Sequence, residues 1–195
     1  MKHIIYILVS VAIISAPKQI ENTKISPQCF KYFNLVIGQS RLYDMWDSYD
    51  IFMGQIEQES LCNEKITAFD HGMGLAQFMP KTAEWIHSKY YDELSKISYT
   101  PNPYNPRWAI RAMILYDKYL LDRVSCKNDW HLALRAYNGG LGNINKEIAK
   151  ANSCNYDEIA KHCGRSKFSC DVNIKYPYQV FKRSVKYNLY FNPDQ

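Results

Sequence analysis

The sequence lacks several patterns that are typical of common protein classes. It has no strand-like alternation of polar and apolar residues longer than a few positions, no internal repeat and no low-complexity tract. Its 24 Lys and Arg residues are scattered, so there is no dense basic run of the kind that binds nucleic acid. The 195 residues suffice for one well-packed domain and are too few for two large ones. We therefore predict a single, mainly α-helical domain with little or no sheet and no nucleic-acid partner.

Metal-binding cysteine pairs are also missing. There is no C-x-x-C motif, and His162 lies directly beside Cys163 without the spacing of zinc ligands. An even number of cysteines in an exported chain favours disulfides, so we predict three bridges and neither a metal nor a cofactor. The sequence does not choose among the pairings of Cys29, Cys62, Cys126, Cys154, Cys163 and Cys170.

The N-terminal apolar run is about half the length needed to cross a bilayer. Residues 4–16 follow Met1-Lys2-His3 and have the charged start and short apolar core of a secretory signal peptide. We predict export to the periplasm or the extracellular space, with residues 1–16 as a signal peptide or as a retained N-terminal anchor. Residues 17–27 are predicted to be a linker and residues 28–192 the domain. The formal net charge of +5 suits a polyanionic surface such as a cell wall, and it fits ordinary solubility equally well.

The stretch from Tyr49 to Leu61 is predicted to form the helix on which the domain is organised. Phe52, Ile56 and Glu59 recur at helical spacing, so Glu59 is expected on an inward, apolar face. Glu57 is displaced by roughly 200° around the axis and is expected to point outward. A carboxyl on an apolar face is costly to ionise, which raises its pKa and makes Glu59 a candidate general acid.

Capping residues and apolar periodicity predict further helices. They cover residues 29–37 ended by Gly38, 81–91 after Pro80, a long helix from the cap Asn105 to Arg123, 130–138 after Asp129, 143–151 and 178–190. The three tryptophans at helical spacing, Trp85, Trp108 and Trp130, are expected in the core. The loop that contains Gly72 and Gly74 can approach a ligand closely and form one wall of a cleft.

Three blocks of residues occur in a specific order. They are Gln58-Glu59-Ser60, Gly74-Leu75-Ala76-Gln77-Phe78-Met79-Pro80 and Ala136-Tyr137-Asn138-Gly139-Gly140. Together they resemble the soluble lytic transglycosylase (SLT) family of the lysozyme-like superfamily, which cleaves bacterial peptidoglycan. The resemblance covers roughly residues 51–148, and a weaker similarity extends to the last predicted helix. It implies a lysozyme-like fold, α+β by superfamily, with a substrate cleft.

The resemblance also implies roles for particular residues. Glu59 matches the single catalytic acid/base of the family. The positions that match substrate-binding residues are Gly74, Gln77, Met79, Tyr137, Asn138 and Tyr178. The sequence departs from the family at Ala68, where many members have a serine, and at Phe69-Asp70-His71, where many have a small-residue pair. We therefore expect Ser60, Thr67, Asp70 or His71 to support the Glu59 carboxyl in place of that serine.

The implied reaction is cleavage of the β-1,4 bond between N-acetylmuramic acid and N-acetylglucosamine, with a 1,6-anhydromuramic product. Two alternatives stay open: a goose-type-like lysozyme hydrolase in which Asp70 positions a water, and a wall-binding module without catalysis. The implied partners are peptidoglycan glycan strands, with secretion or conjugation machinery of the cell envelope as a further candidate. We expect a monomer.

Overall fold

The computed structural model describes residues 24–191 of the chain. The predicted signal segment and most of the predicted linker, residues 17–27, lie outside the described residues, as does the predicted end of the domain at residue 192. Residues 24–26 have no regular structure, and the first helix begins at Pro27.

The described part of the chain is built from helices. In chain order they are α1 (Pro27–Phe30), α2 (Phe33–Leu42), a 3₁₀ turn (Trp46–Ser48), α3 (Tyr49–Ser60), α4 (Pro80–Lys89), α5 (Tyr91–Leu94), α6 (Pro106–Arg123), α7 (Trp130–Gly139), α8 (Leu141–Ala151), α9 (Tyr156–Ala160) and α10 (Lys167–Phe191). Between residues 24 and 191 no strand forms, and only isolated bridges join Thr67 to Met73 and Met73 to Phe78. The prediction of a mainly helical domain is confirmed.

Three predicted helix starts, at Pro80, Asn105 and Asp129, are found where the sequence placed them. The Asn105 side chain accepts hydrogen bonds from the backbone N–H groups of Arg107 and Trp108 at 3.0 and 3.2 Å. The Asp129 side chain accepts one from Leu132 at 3.1 Å, and Pro80 is the first residue of α4. The Asn105 and Asp129 side chains satisfy N–H donors that have no partner inside their own helix. Pro80 has no N–H to satisfy and its fixed φ suits the first helical position, so each of the three helices starts where it does.

Two predicted helices have the wrong bounds. Residues 29–37 form parts of two helices, and α2 continues through Gly38 to Leu42. The helix continues past Gly38 because Gln39 and Ser40, which follow it, are buried and extend the packed face of α2. Gly38 itself lies on the open side of the helix. The last helix starts at Lys167, not at residue 178, and includes Pro177. An internal proline costs about 3 kcal/mol, so packing of α10 against its neighbours must offset it.

Helix α3 runs through the centre of the domain. It packs along α10 and also contacts α2. The closest approach is at Gly54, where a Cβ atom would lie 2.6 Å from the Val180 carbonyl oxygen and 2.9 Å from the Ser184 nitrogen. Glycine at this position therefore lets the two helix backbones meet, and α10 can cover one side of α3.

The prediction that Glu57 points outward is wrong. Its residue is only 8% exposed, and its carboxylate accepts hydrogen bonds from Lys186 Nζ and from the Tyr187 hydroxyl, both at 2.7 Å. Arg183 lies 3.4 Å away. The expectation assumed that one side of α3 faces water, whereas α10 covers that side and supplies the charges that neutralise Glu57.

The six cysteines form three disulfides, as predicted: Cys29–Cys62, Cys126–Cys154 and Cys163–Cys170. The first bridge ties α1 to the residues directly after α3. No helix in the described ranges has the length and apolar character required to span a membrane.

The expected burial of the tryptophans is correct in part. Trp108 is fully buried and Trp130 is partly buried against the core. Trp85 is 41% exposed, so the prediction that it belongs to the core is wrong. Helical spacing places Trp85 on one face of α4, where it contacts Tyr116 and Tyr119 of α6 but is not fully covered by them.

Candidate active site

A cavity of about 300 Å³ lies where the end of α3, the loop before α4 and the end of α7 meet. It brings together residues from all three sequence blocks. The lining residues are Glu59, Ala68, Asp70, Gly72, Gln77, Met79, Tyr137 and Asn138. Residues that are separated by up to 79 positions in the chain, from 59 to 138, therefore share one surface.

The end of α3 sets the position of Glu59. The helix stops after Ser60 because Leu61 and Cys62 have left-handed backbone conformations, with φ of 51° and 62°. The Ser60 hydroxyl contacts the carbonyl oxygens of Ile56 and Leu75, each at 3.0 Å. Ser60 therefore joins the helix end to the following turn, and Glu59 is presented from the last helical turn.

The turn between residues 71 and 79 forms one wall of the cavity. Gly74 has φ of +67°, and a Cβ atom there would lie 2.0 Å from the Pro103 carbonyl oxygen, so the turn requires glycine. Gly74 is buried and does not line the cavity. Its carbonyl accepts a hydrogen bond from the Gln77 side chain at 2.7 Å. The turn thereby fixes Gln77 and Met79 at the cavity wall.

The carboxyl group of Glu59 is held in an environment that favours its neutral form. Burial raises its pKa from an ordinary value of 4.5 to about 7, and the charge of Asp70 raises it as well. The Tyr176 hydroxyl donates a hydrogen bond to Glu59 Oε1, which opposes this shift. Near neutral pH the group therefore exists in both protonation states, which is the condition for giving up a proton and taking one back.

Tyr176 was not predicted from the sequence. It lies on α10, is 3% exposed, and burial raises its pKa well above the ordinary range, so it remains a neutral donor. Tyr178, the tyrosine predicted from the resemblance, is 50% exposed and packs near His131 and Tyr156 instead of lining this cavity. Two residues along a helix turn the side chain to another face, and only the course of α10 decides which tyrosine reaches Glu59.

Tyr137 and Asn138 close the cavity from the end of α7. The Tyr137 hydroxyl donates to the Ala76 carbonyl oxygen at 2.7 Å, and its ring lies 5.3 Å from the ring of Tyr116. The side-chain oxygen of Asn138 accepts a hydrogen bond from Asn173 at 3.0 Å. Tyr137 thus connects α7 to the turn, and Asn138 is connected to α10.

A buried charge network supports this end of α7. Arg135 and Arg165 both bind the carboxylate of Glu147, the latter at 3.0 Å. Arg165 also donates to the Asn173 side-chain oxygen at 2.8 Å. Because Asn173 holds Asn138, the network links α7, α8 and α10 behind the cavity wall.

The remaining candidates for support of Glu59 are placed differently. Asp70 lines the cavity and its carboxylate accepts a hydrogen bond from the Gly72 N–H at 3.3 Å. His71 is exposed, has φ of 73° and does not line the cavity. Thr67 exchanges a hydrogen bond of 2.7 Å with the Tyr104 hydroxyl and likewise lies outside the lining. Asp70 is therefore the only one of these three at the cavity.

Comparisons with known proteins identify a family and two structures with a similar fold. The family described as the Transglycosylase SLT domain matches residues 41–160. An inactive mutant of the lytic transglycosylase Slt from Pseudomonas aeruginosa has a similar structure, with a TM-score of 0.66, 18% identity, and coverage of 83% of this chain and 24% of that one.

The 70 kDa soluble lytic transglycosylase from Escherichia coli is similar with a TM-score of 0.59 and 18% identity, over 88% of this chain and 32% of that one. The chain thus spans a quarter to a third of the length of these two structures, and the likeness concerns the fold. A comparison with curated proteins finds no match.

Proposed function

The chain belongs to the transglycosylase SLT family, and on that premise we propose that it is a peptidoglycan lytic transglycosylase. The bond cleaved is the β-1,4 bond between N-acetylmuramic acid and N-acetylglucosamine. The observation that supports this proposal most directly is Glu59, a cavity-lining carboxyl whose pKa is raised to about 7 and which accepts a hydrogen bond from Tyr176.

In the proposed reaction Glu59 acts twice. Its protonated form donates to the glycosidic oxygen as the bond to C1 of the muramic sugar breaks, and the acetamido group of that sugar stabilises the resulting cation. The Glu59 carboxylate then takes the proton from the 6-hydroxyl, whose oxygen bonds to C1 and closes the 1,6-anhydro ring. The acid is regenerated and no water is consumed.

Tyr176 and Asp70 act on the two forms of Glu59 in opposite directions. The Tyr176 hydroxyl stabilises the carboxylate, and the Asp70 charge stabilises the protonated acid. A group with a pKa near the operating pH can both donate and accept a proton efficiently. Gln77, Met79, Tyr137 and Asn138 are proposed to contact the sugars because they line the same cavity.

A lysozyme-type hydrolase is the second candidate, and Asp70 is the reason. Its carboxylate lines the cavity, where it could orient a water towards the sugar. Inverting glycosidases separate the two carboxyls by about 6.5–9.5 Å to leave room for that water. The hydrogen bond from the Gly72 N–H to Asp70 supports a structural role in the turn instead.

The test is mass spectrometry of purified cell wall that has been digested by the wild-type protein, Glu59→Gln and Asp70→Asn. We expect anhydro products from the wild type, a loss of about 10²- to 10⁴-fold with Glu59→Gln, and most activity retained with Asp70→Asn. Products that carry an added water and disappear with Asp70→Asn would favour the hydrolase. Wall binding without products from any variant would favour the non-catalytic module. Thermal unfolding confirms that each variant is folded.

Export to the periplasm or the extracellular space remains part of the proposal. The three disulfides support it, because disulfides persist in oxidising compartments. Peptidoglycan strands are the proposed partner, and contact with secretion or conjugation machinery stays a prediction. Sequencing the N-terminus of protein recovered outside the cytoplasm would show whether residues 1–16 are removed.

A further inference from the structure

Asn173, on α10, is a fully buried amide whose hydrogen bonds are all made by the protein. Its Oδ1 accepts from Arg135 Nε at 3.1 Å and from Arg165 Nη2 at 2.8 Å. Its Nδ2 donates to the main-chain oxygen of Arg135 at 2.8 Å and to Asn138 Oδ1 at 3.0 Å. A neutral amide has two N–H donors and two acceptor positions, so the capacity of Asn173 is fully used.

The partners of Asn173 permit only one orientation of its amide. A guanidinium group can only donate, so the oxygen of Asn173 must face Arg135 and Arg165. The main-chain oxygen of Arg135 can only accept, so the nitrogen of Asn173 must face it. Asn173 therefore directs an N–H group at Asn138, and Asn138 must turn its own oxygen towards Asn173.

The orientation of Asn138 determines what the active-site cavity offers to a ligand at this point. Asn138 is exposed and lines the cavity. Its Oδ1 is engaged by Asn173, and its Nδ2 has no hydrogen-bond partner within residues 24–191. The NH₂ group is therefore the polar end of the side chain that is left for a ligand. An amide turned by 180° would offer an acceptor in the same place.

Arg165 reaches Asn173 because of two local features. It lies in the short loop closed by the Cys163–Cys170 disulfide. Gly139 leaves space for it, since a Cβ atom there would lie 2.1 Å from Arg165 Nη1 and 2.6 Å from Asn173 Nδ2. None of these residues lines the active-site cavity. Any effect that they have on a bound sugar must therefore be transmitted through the residue that does.

We propose that Asn173 and Arg165 are positioning residues that fix Asn138 as a hydrogen-bond donor to the bound sugar. This inference rests on the proposed function, since it concerns the same cavity. The group selected is an oxygen that can only accept, such as the carbonyl oxygen of an N-acetyl group. A hydroxyl can donate or accept and would tolerate either orientation of the amide, whereas a carbonyl discriminates between them.

The first test is Asn173→Asp. The carboxylate still accepts from both arginines but has no N–H groups, so it should draw the nitrogen of Asn138 towards itself and turn the Asn138 oxygen to the cavity. We expect KM for solubilised glycan strands to rise about tenfold. The value of kcat and the alkaline limb of the pH–rate profile should stay in place, because Arg135 and Arg165 neutralise the new charge.

A double-mutant comparison shows whether Asn173 acts through Asn138. In an Asn138→Ala background, Asn173→Asp should have no further effect on KM. Asn155→Asp makes the same chemical change at the N-cap of α9, where a carboxylate caps equally well, and should alter neither KM nor kcat. A rise in KM that persists in the Asn138→Ala background would overturn the proposal, as would an unchanged KM for folded Asn173→Asp protein.

The second test needs neither catalysis nor a change in the network. Side-chain amide signals are followed by ¹⁵N NMR in Glu59→Gln protein, with a short oligomer of N-acetylglucosamine as the probe. In the free protein the Asn173 amide should exchange with solvent roughly tenfold or more slowly than the Asn138 amide, and the oligomer should shift the Asn138 signal. If the wild type makes no products from cell wall but this pattern is found, the proposed reaction fails and the positioning stands. If the wild type cleaves but the Asn138 amide is protected in the free protein or does not respond to the oligomer, the positioning fails and the reaction stands.

Discussion

Glu57 and Glu59 are two residues apart on α3, and neutralising them should have opposite effects on stability. Burial holds the pKa of Glu59 at about 7, above its ordinary value of 4.5. The folded state therefore binds more protons than the unfolded state between these two pH values, and the free energy of unfolding falls as pH rises through this window. The free-energy cost of ionising the buried Glu59 carboxyl is absent below about pH 4.5 and fully present above about pH 7.

The size of the effect follows from the same values. A rise in pKa from 4.5 to about 7 corresponds to about 3 kcal/mol. The Glu59 residue is partly exposed to the cavity, and water there reduces the cost, so we expect about 2 kcal/mol. Glu59→Gln stays neutral at every pH and retains an oxygen that can accept from Tyr176. It should therefore be about 2 kcal/mol more stable than the wild type at pH 8 and equal to it at pH 4.

Glu57→Gln is the matched comparison. It leaves Lys186 and Arg183 without their carboxylate, and we expect a loss of about 1–3 kcal/mol at pH 8. Urea unfolding at pH 4, 6 and 8 measures both variants. Burial also raises the pKa of Asp117, so the effect of Glu59 is taken as the difference between wild type and variant at each pH. A Glu59→Gln protein that gains nothing between pH 4 and pH 8 would refute the reasoning.

Two further predictions concern α10. Tyr176→Phe removes the hydrogen bond that lowers the pKa of Glu59, so the alkaline limb of the pH–rate profile should move to higher pH. Activity at neutral pH should fall about tenfold. An alkaline limb that does not move would contradict the contact between Tyr176 and Glu59. Gly54→Ala places a methyl group 2.6 Å from the Val180 carbonyl oxygen and should cost about 1–3 kcal/mol in urea unfolding. Gly38→Ala, where the added methyl group meets nothing within 4 Å, should instead gain about 0.5–1 kcal/mol, and equal stability of the two variants would show that the helices can separate.

Features that depend on neighbouring residues were predictable from the sequence. The starts of α4, α6 and α7 depend on Pro80, Asn105 and Asp129, whose effects act within about one helical turn. A turn at Gly72 and Gly74 was predictable in the same way, because glycine adopts backbone conformations that other residues rarely adopt, whereas the strict requirement for glycine at Gly74 depends on the distant Pro103 carbonyl. The bounds of α2 and α10 could not be predicted in this way, since packing of Gln39, Ser40 and Pro177 outweighs local preference.

The residues of the proposed site also fall into those that the sequence predicted and those that it did not. The three sequence blocks predicted that Glu59, Gln77, Met79, Tyr137 and Asn138 belong to one region, and these residues line one cavity. The sequence did not indicate Tyr176, because its contact with Glu59 spans 117 residues and depends on how α10 crosses α3. It also did not indicate that Trp85 is exposed, since helical spacing defines a face of α4 but not what covers that face.

By itself, then, the sequence determined that Glu59 carries the proposed acid, where most helices begin, and which turn lies beside Glu59. Only the tertiary structure decided that Glu57 is buried and paired, that Tyr176 reaches Glu59, and which cysteines are joined. The physical reason is one of range. Capping and backbone sterics act over a few residues, whereas burial, which sets both the charge partners of Glu57 and the pKa of Glu59, depends on a helix that lies more than 100 residues later in the chain.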